Sequence, residues 1–419
     1  MRIVIKILGY IDLIMGNKKI IIIGAGASGL VAAIMAARKG CTVSVYEKNT
    51  KIGKKILATG NGRCNVTNKH IELSNYHGLK PSFVNASIGR FNASTCKDFF
   101  GELGVELVEG HSGRLYPKSQ QASSIVDLLG YECERLGVKI LLAHEVKSIV
   151  NDGDRFSLHG NEFHIKADKV LIATGGLAMP TLGSCDSGHR FAEKFGHSIV
   201  PTHASLVQLV CEEDLKSISG VKFEGGIEVL VDNKVITQSS GDILFTNYGI
   251  SGTAVLDVSR VAGSALLHHR GVHVQVDLLP EYSKEQLKNL LQKRLKFSYG
   301  KSVALWLEGF INSKLAKFIA NTLHVKNADD LNPKILTSLV FSLKNLKLKV
   351  IDTKGYKSAE TTAGGVDVSL INPQTLESKL QKNLYFSGEV VDIDADCGGF
   401  NLHWAWSSGY SAGLEMARS

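Results

Sequence analysis

The chain of 419 residues has few of the features that define several large classes of protein. Its seven cysteines are scattered, odd in number and without a C-x-x-C pair, which favours reduced thiols over a disulfide framework or a zinc site. No run of about 18 apolar residues is present, so no membrane-spanning helix is expected. With 44% hydrophobic and 21% charged residues, the composition excludes a disordered chain. The sequence therefore predicts a cytoplasmic, globular protein of two or three domains without a metal site.

The first fourteen residues are apolar and include Arg2 and Lys6, a superficial likeness to a signal peptide. The apolar part is too short and too interrupted to span a membrane, and no small-residue cleavage site follows it. We expect residues 1–14 to be an extension with little role in the fold, and the first domain to begin near Met15.

The formal net charge of +8 is concentrated in one segment. Residues 281–357 contain 15 lysine or arginine residues against 6 acidic residues, a net charge of +9, so the rest of the chain is nearly neutral. A basic segment raises the question of nucleic-acid binding. Interleaving of aromatic with basic residues is sparse within it and no RNA or DNA motif is present, so we interpret it as a solvated helical surface. Nucleic acid is therefore not the expected partner.

Residues 20–29 (IIIIGAGASG) read as a buried parallel strand that runs directly into a phosphate-binding turn. In this pattern Gly24 permits the tight turn, Gly26 the close approach of a pyrophosphate, and Gly29 close packing of the helix on the strand. The pyrophosphate would lie against unpaired N–H groups at the helix N-terminus.

A helical segment over residues 30–39 and a second apolar run over residues 42–46 complete a βαβ unit. This run ends at Glu47, which stands 23 positions after Gly24. An acid at this place accepts hydrogen bonds from a ribose hydroxyl and would repel a 2′-phosphate. The unit predicts a dinucleotide site but does not specify which dinucleotide.

Residues 384–401 form a second informative run, in which a buried strand delivers Gly388 and Glu389 to the carboxyl edge of a sheet. Gly398 and Gly399 then open the terminal helix, whose positive end would face the same crevice. That placement suits the negative charge that develops near N1 and O2 of a reduced flavin, whereas nicotinamide carries no comparable anion. The alternative is an ordinary glycine-rich helix start.

The sequence pattern changes near Pro201, where short segments of alternating apolar and polar residues predict antiparallel strands. It changes again near Ser283, where leucines recur at helical spacing. The strand and helix at the C-terminal end return to the nucleotide-binding pattern. We therefore predict a discontinuous α/β nucleotide-binding domain, with a first part at residues 15–198 and a second part at 353–419. The insert at 199–352 would be β-rich over 199–280 and helical over 281–349.

Four motifs in order resemble those of the HI0933-like (YhiN/BaiN-like) flavoproteins. They are residues 53–68 (GKKILATGNGRCNVTN), 245–256 (FTNYGISGTAVL), 362–366 (TAGGV) and 384–409. The resemblance extends from about Lys18 to the C-terminus. It implies FAD as the cofactor, bound by a Rossmann-like domain of the two-dinucleotide-binding type that is interrupted by an insert domain.

The resemblance also implies which residues contact FAD. The expected cofactor-binding residues are Gly24, Gly26, Ala27, Ser28, Gly29, Glu47, Lys48, Lys55, Arg63, Cys64, Asn65, Thr67, Val146, Ala173, Thr174, Gly175, Gly388, Glu389, Asp392, Gly399, Phe400, Asn401 and Leu402. The sequence shows no pattern typical of a Ser-His-Asp triad or of paired catalytic carboxylates, so no catalytic base is assigned. Arg63 is a candidate for facing an anionic group, and Cys64 and His403 are candidate proton donors for which a structural role is favoured.

The predicted activity is that of an FAD-dependent oxidoreductase transferring hydride between flavin N5 and a small organic substrate held between the FAD and insert domains. The family implies either C=C reduction fed by NAD(P)H or oxidation of a small amine by oxygen. A second GxGxxG followed by an acid is missing, so a nicotinamide would bind only transiently. The alternatives are an RNA-modifying flavoprotein with the basic insert as a tRNA platform, and a binding protein without catalysis. The sequence indicates neither the substrate nor the oligomeric state.

Overall fold

The computed structural model describes residues 18–418, so the predicted extension at residues 1–14 lies outside the described residues. The strands are β1 Lys19–Ile23, β2 Thr42–Tyr46, β3 Thr67–Asn68, β4 Tyr76–His77, β5 Leu107–Glu109, β6 Arg114–Pro117, β7 Lys139–Leu141, β8 Ser148–Asn151, β9 Phe156–His159, β10 His164–Ala167, β11 Lys169–Ile172, β12 Ile199–Ser205, β13 Leu209–Cys211, β14 Lys222–Val231, β15 Lys234–Phe245, β16 Gly249–Ser251, β17 Val272–Asp277, β18 Leu346–Thr353, β19 Thr361–Val366, β20 Leu384–Phe386 and β21 Asp394–Ala395. The helices are α1 Ala27–Arg38, α2 Lys54–Ala58, α3 Asn85–Arg90, α4 Ala93–Glu102, α5 Ala122–Arg135, α6 Ser187–Lys194, α7 Thr253–Leu267, α8 Lys284–Leu295, α9 Val303–Glu308, α10 Ser313–Asn321, α11 Pro333–Lys344 and α12 Phe400–Ala417.

The chain divides into two compact units, each with its own hydrophobic core. Among the described residues, unit 1 contains residues 18–202 and 361–418, and unit 2 contains His203–Glu360. Unit 1 is thus built from two separate segments of sequence. No helix among residues 18–418 combines the length and apolar character that a membrane crossing requires.

A five-stranded sheet in the order β20-β11-β1-β2-β7 forms the centre of unit 1, and all its pairings are parallel. The four isoleucines of β1 are buried because the strand has neighbours on both edges and also contacts helix α1 and strand β10. The register aligns Ile23 with both Tyr46 and Ile172, so three strands end at the same level. This arrangement confirms the predicted discontinuous Rossmann-like α/β fold.

The terminal helix α12 packs against α1 through two glycines. A Cβ at Gly409 would lie 2.2 Å from the carbonyl oxygen of Ser28, and a Cβ at Gly413 would lie 2.5 Å from that of Ala32. Only glycine allows the two helix backbones to approach this closely.

Unit 1 also contains smaller antiparallel sheets and a short helix. The antiparallel groups are β10-β9-β8, β3-β6-β5 and β21-β4. The glycine-rich segment 53–68 includes the helix Lys54–Ala58, followed by left-handed backbone at Gly60, Asn61 and Cys64.

Unit 2 is a closed antiparallel barrel followed by a helical part. The barrel order is β13-β16-β15-β14-β17-β18, and β18 closes it by pairing with both β13 and β17. Helix α7 packs on the barrel, and helices α8 to α11 lie between β17 and β18 in the chain. The inward side chains of β17 and one face of each helix form one continuous core.

Candidate functional site

The glycines after β1 meet different physical demands. Gly24 has a φ of +109°, and a Cβ there would lie 2.4 Å from the carbonyl oxygen of Ala173. A Cβ at Gly29 would lie 2.0 Å from the carbonyl oxygen of Gly24. A Cβ at Gly26, by contrast, would have no atom within 4 Å. The fold itself therefore requires Gly24 and Gly29, whereas Gly26 leaves open space in front of the helix.

The N-terminus of α1 faces that space. Gly26 is the N-cap residue and provides no side chain to cap the helix, so the positive end of the dipole has no anionic partner from its own cap. The end of β20 reaches the same turn, because a Cβ at Gly388 would lie 2.6 Å from the Ser28 hydroxyl oxygen. Ser28 and Gly388, which are distant in sequence, thus border one crevice.

Glu47 lies at the carboxyl end of β2, and its buried carboxylate holds the phosphate-binding turn. Its Oε2 accepts the main-chain N–H of Ala25 at 2.8 Å. Its Oε1 accepts both the main-chain N–H of Asn49 at 2.8 Å and the Asn49 side-chain amide at 2.7 Å. These bonds use three of the carboxylate's roughly four acceptor positions, which leaves about one for a ribose hydroxyl. Asn49 was not predicted, although its place two residues after Glu47 allows a local side-chain bond.

The segment after β7 is tied to Glu47. The main-chain N–H of His144 donates to the carbonyl oxygen of Glu47 at 2.9 Å, and Val146, two residues further along the chain, is buried. The Cys185 sulfur, from a residue that was not predicted, lies 3.1 Å from the Ser187 hydroxyl oxygen. Burial acts to raise the pKa of the Cys185 thiol, but the influence of Lys48 and Ser187 outweighs burial, so this pKa is lowered.

An ion pair joins the loop at residues 53–68 to the segment after β20. Lys55 Nζ lies 2.6 Å from Glu389 Oε2, and Glu389 Oε1 accepts the main-chain N–H of Thr362 at 2.9 Å. The Thr362 hydroxyl oxygen in turn accepts the N–H groups of Leu177 and Ala178, which follow β11. Thr362 was not among the predicted site residues, although it lies in one of the four motifs.

The N-terminus of α12 forms the other end of the crevice. Gly399 is its N-cap residue, with a φ of +96° and no side-chain cap. A Cβ at Gly399 would lie 2.8 Å from the carbonyl oxygen of Thr67 and 2.9 Å from Asn65 Oδ1. That Asn65 oxygen is buried and has no hydrogen-bond partner among residues 18–418. An unsatisfied acceptor beside an uncapped helix end is the arrangement expected where a ligand supplies the missing partners.

Other predicted residues act within the protein instead of facing the crevice. The Asn401 side chain holds the main chain of Ala395, accepting its N–H at 2.9 Å and donating to its carbonyl oxygen at 2.7 Å. Asp392 is buried and accepts the N–H of Leu79 at 2.8 Å. The remaining predicted residues border the crevice by their place in the chain: Ala27 opens α1, Ala173, Thr174 and Gly175 follow β11, and Phe400 and Leu402 lie in the first turn of α12.

The three candidate catalytic residues differ in exposure. Cys64 is fully buried, and burial raises the pKa of its thiol to about 12. His403 is also fully buried, its Nδ1 lies 2.8 Å from the Thr67 hydroxyl, and burial lowers its pKa to about 4. Arg63 is exposed, lies over the ring of Tyr116, and forms no ion pair with an acidic side chain in the described part of the chain. At neutral pH the thiol and the imidazole are therefore both uncharged, and the guanidinium is the accessible charge.

Comparison with known families agrees with this geometry. The model of the HI0933-like protein Rossmann domain matches residues 18–415. The chain belongs to this family. A 3-dehydro-bile acid delta(4,6)-reductase of Clostridium scindens is 36% identical over 402 residues, covering 94% of this chain and 98% of that protein. Ribosomal RNA dihydrouridine synthases of Haemophilus influenzae and Escherichia coli are 35% and 32% identical, covering 95% and 94% of this chain and 98% and 97% of their own length. The protein is an FAD-dependent oxidoreductase.

The residues present fit FAD. Unit 1 contains two uncapped helix ends, the open space at Gly26 and the unpaired Asn65 oxygen. The close approach of Gly388 to Ser28 and the ion pair between Lys55 and Glu389 join the segments that carry these features. The α1 end suits a pyrophosphate, and the α12 end suits a group that becomes negatively charged.

Proposed function

We propose that this oxidoreductase reduces a carbon–carbon double bond conjugated to a carbonyl group, with NAD(P)H as the source of electrons. The names of the relatives support this reaction. One is called a delta(4,6)-reductase, and the others form dihydrouridine, which requires two hydrogens to be added across a carbon–carbon double bond of uracil. A conjugated double bond is the chemical feature that these substrates share.

The single structural observation that carries the proposal is the pair of uncapped helix N-termini in unit 1, because they fit the flavin cofactor that this reduction needs. FAD supplies hydride transfer through its flavin N5 when it is bound. The α1 N-terminus and Glu47 would hold the pyrophosphate and the adenosine ribose. The N–H groups at the start of α12 would stabilise negative charge, and Asn65 Oδ1 would accept a hydrogen bond beside them.

The three candidate catalytic residues differ in whether they can donate the proton that the reduction needs. Reduction of a conjugated double bond needs one proton at carbon in addition to a hydride. Cys64 and His403 are poorly suited to supply it, because one pKa is raised to about 12 and the other lowered to about 4, and both side chains are fully buried. The planar guanidinium of Arg63 is suited to binding an anionic group instead.

Two classes of substrate contain the proposed bond. The first is a small unsaturated carbonyl compound, as the sequence predicted. The second is a uracil base within RNA, which is favoured by the net charge of +9 over residues 281–357 and by the rRNA-modifying relatives. Both classes require the same reduced flavin, so one experiment can compare them.

The test begins with anaerobic stopped-flow reduction of the purified holoprotein by NADH and by NADPH, followed at the flavin absorbance. The reduced protein is then mixed separately with a cyclic enone, a uridine-containing RNA and oxygen. We expect the enone or the RNA to reoxidise the flavin faster than it reoxidises free reduced FAD. Reoxidation by oxygen alone would indicate an oxidase and would contradict the proposal.

A further inference from the structure

Exposed aromatic side chains are concentrated in the helical part of unit 2. Four tyrosine or phenylalanine residues among residues 18–418 are more than half exposed, and three of them are Phe297 (61%), Tyr299 (77%) and Phe341 (60%). Phe297 and Tyr299 lie in the turn that follows α8, with their ring centroids 6.2 Å apart. Large apolar side chains displayed together on a surface indicate a binding role more often than isolated ones do.

The turn that carries two of these rings is held in place from inside. The Ser298 side chain between them is buried and hydrogen-bonds to the Asp329 carboxylate. The main-chain N–H of Gly300 donates to the other Asp329 oxygen at 2.8 Å. Tyr299 has a φ of +46°, a conformation that bulky residues seldom adopt. The protein thus maintains an unfavourable backbone geometry that exposes the tyrosine ring, as is common at binding sites.

Lysines accompany the aromatic rings. Lys301 Nζ lies 5.1 Å from the centre of the Tyr299 ring and donates to the carbonyl oxygen of Phe297 at 2.7 Å. At the start of α8, Lys284 Nζ lies 5.7 Å from the centre of the Phe341 ring. The two aromatic groups therefore lie at opposite ends of α8, a helix of 12 residues and hence about 18 Å long.

Helix α8 adds further positive charge between its ends. Five lysines lie on α8 or within six residues of its C-terminal end: Lys284, Lys288, Lys293, Lys296 and Lys301. None of the five forms an ion pair with an acidic side chain in the described residues. Glu285, in the first turn, is the acid on this helix. We call the three exposed aromatic residues and these five lysines the aromatic–lysine surface.

We propose that the aromatic–lysine surface binds single-stranded RNA. Unpaired bases stack on exposed aromatic rings, while lysines between the rings neutralise the phosphates of the same strand. A membrane surface fits less well, because exposed residues of α8 such as Gln286, Asn289 and Gln292 are polar and provide no continuous apolar face for insertion. This inference deepens the proposed function by favouring RNA over a free small molecule as the substrate class.

The test is a binding measurement on the holoprotein with a fluorescently labelled, unstructured oligouridylate, followed by anisotropy. We expect F297A and Y299A each to weaken binding by roughly 5- to 150-fold, the range for loss of one stacking partner. Y131A is the matched control, since Tyr131 is 64% exposed on helix α5 of unit 1 and should leave affinity unchanged. K296Q and K301Q should each reduce the slope of log affinity against log salt by about 0.7 between about 50 mM and 200 mM salt.

Several outcomes would overturn this inference: no RNA binding at low salt, equal losses in Y131A and Y299A, or binding to anionic lipid vesicles in place of RNA. Unchanged flavin absorbance in each variant shows that the cofactor site of unit 1 is intact, and an unchanged circular dichroism spectrum shows that unit 2 is folded. The binding result is independent of turnover. Loss of the proposed reductase activity with intact RNA binding would refute the proposed function alone, and active enone reduction without RNA binding would refute the surface alone.

Discussion

Replacing Glu47 by glutamine tests the assignment of the ribose end of the crevice. The carboxylate accepts three hydrogen bonds from the protein, one from Ala25 and two from Asn49. Glutamine has nearly the same volume but offers one acceptor oxygen and one NH₂ donor. If the oxygen faces Asn49, the NH₂ group opposes the Ala25 N–H, and the reverse orientation sacrifices both bonds from Asn49.

The structure sets the expected size of the effect. The better orientation still loses one hydrogen bond to a charged group, which contributes about 1.5–3 kcal/mol, and leaves a buried N–H without a partner. The free energy of unfolding of the apoprotein should fall by about that amount. A ribose hydroxyl bound to Glu47 would lose its charged acceptor as well, so the Kd for FAD should rise by at least about tenfold.

Two measurements separate these effects. Urea unfolding of the apoprotein gives the stability term, and titration with FAD, followed by quenching of its fluorescence, gives the affinity. Glu145→Gln is the matched control because Glu145 is exposed and follows His144, whose N–H donates to the carbonyl oxygen of Glu47. If Glu47→Gln matches this control in both measurements, the carboxylate neither supports the turn nor contacts the ribose, and the reasoning is refuted.

Three further experiments test the packing and the charge states of unit 1. Gly26→Ala should change the free energy of unfolding of the apoprotein by less than about 1 kcal/mol yet abolish FAD binding. Gly29→Ala should lower that free energy by about 3 kcal/mol or more. Undiminished FAD affinity in Gly26→Ala would contradict this reasoning. Burial lowers the pKa of His403 to about 4, so the unfolded chain, with a pKa near 6.5, binds more protons below that pH. The free energy of unfolding should be highest above pH 6.5 and should fall toward pH 4, with a loss of about 2 kcal/mol at pH 5. Urea unfolding should show a smaller loss for His403→Gln, and an equal loss would contradict this reasoning. Gly409→Ala should lower the Tm strongly because its Cβ would meet the Ser28 carbonyl oxygen. Its control is Gly101→Ala, whose Cβ would have no atom within 4 Å and which should raise the free energy of unfolding by about 0.5–1 kcal/mol. Similar shifts in the two variants would argue against close α1–α12 packing.

The parts of the fold that could be predicted are those encoded by adjacent residues. Four isoleucines followed by Gly24 specify a buried parallel strand and its turn, and the pairing of β1 with β2 follows from the βαβ pattern of adjacent segments. The closed barrel of unit 2 could not be predicted in the same way. Its closure depends on Leu209 pairing with Thr353, and no local pattern records a contact between residues so far apart in the chain.

The same distinction holds within the candidate site. Glu47 was predicted from its spacing after Gly24, but the spacing did not indicate that most of its acceptor capacity is used by Asn49 and Ala25. The ion pair between Lys55 and Glu389 joins residues 334 positions apart. The resemblance indicated both residues, but their contact became visible only in the folded chain. Burial, which determines the charge states of His403 and Cys64, is likewise a property of the tertiary structure.

The glycines of the two halves of the site therefore carry different kinds of information. In the first half, Gly26 differs from its neighbours because a side chain would fit the protein and collide only with a ligand. In the second half, Gly388 and Gly399 are both required by the protein itself, since a Cβ would collide with Ser28 or with Thr67 and Asn65. Conservation of glycine there would report folding and not cofactor contact. The ligand-facing chemistry of the second half lies instead in the helix N–H groups and the unpaired Asn65 oxygen, so substitutions at Asn65 are the ones that should alter the flavin environment without altering the fold.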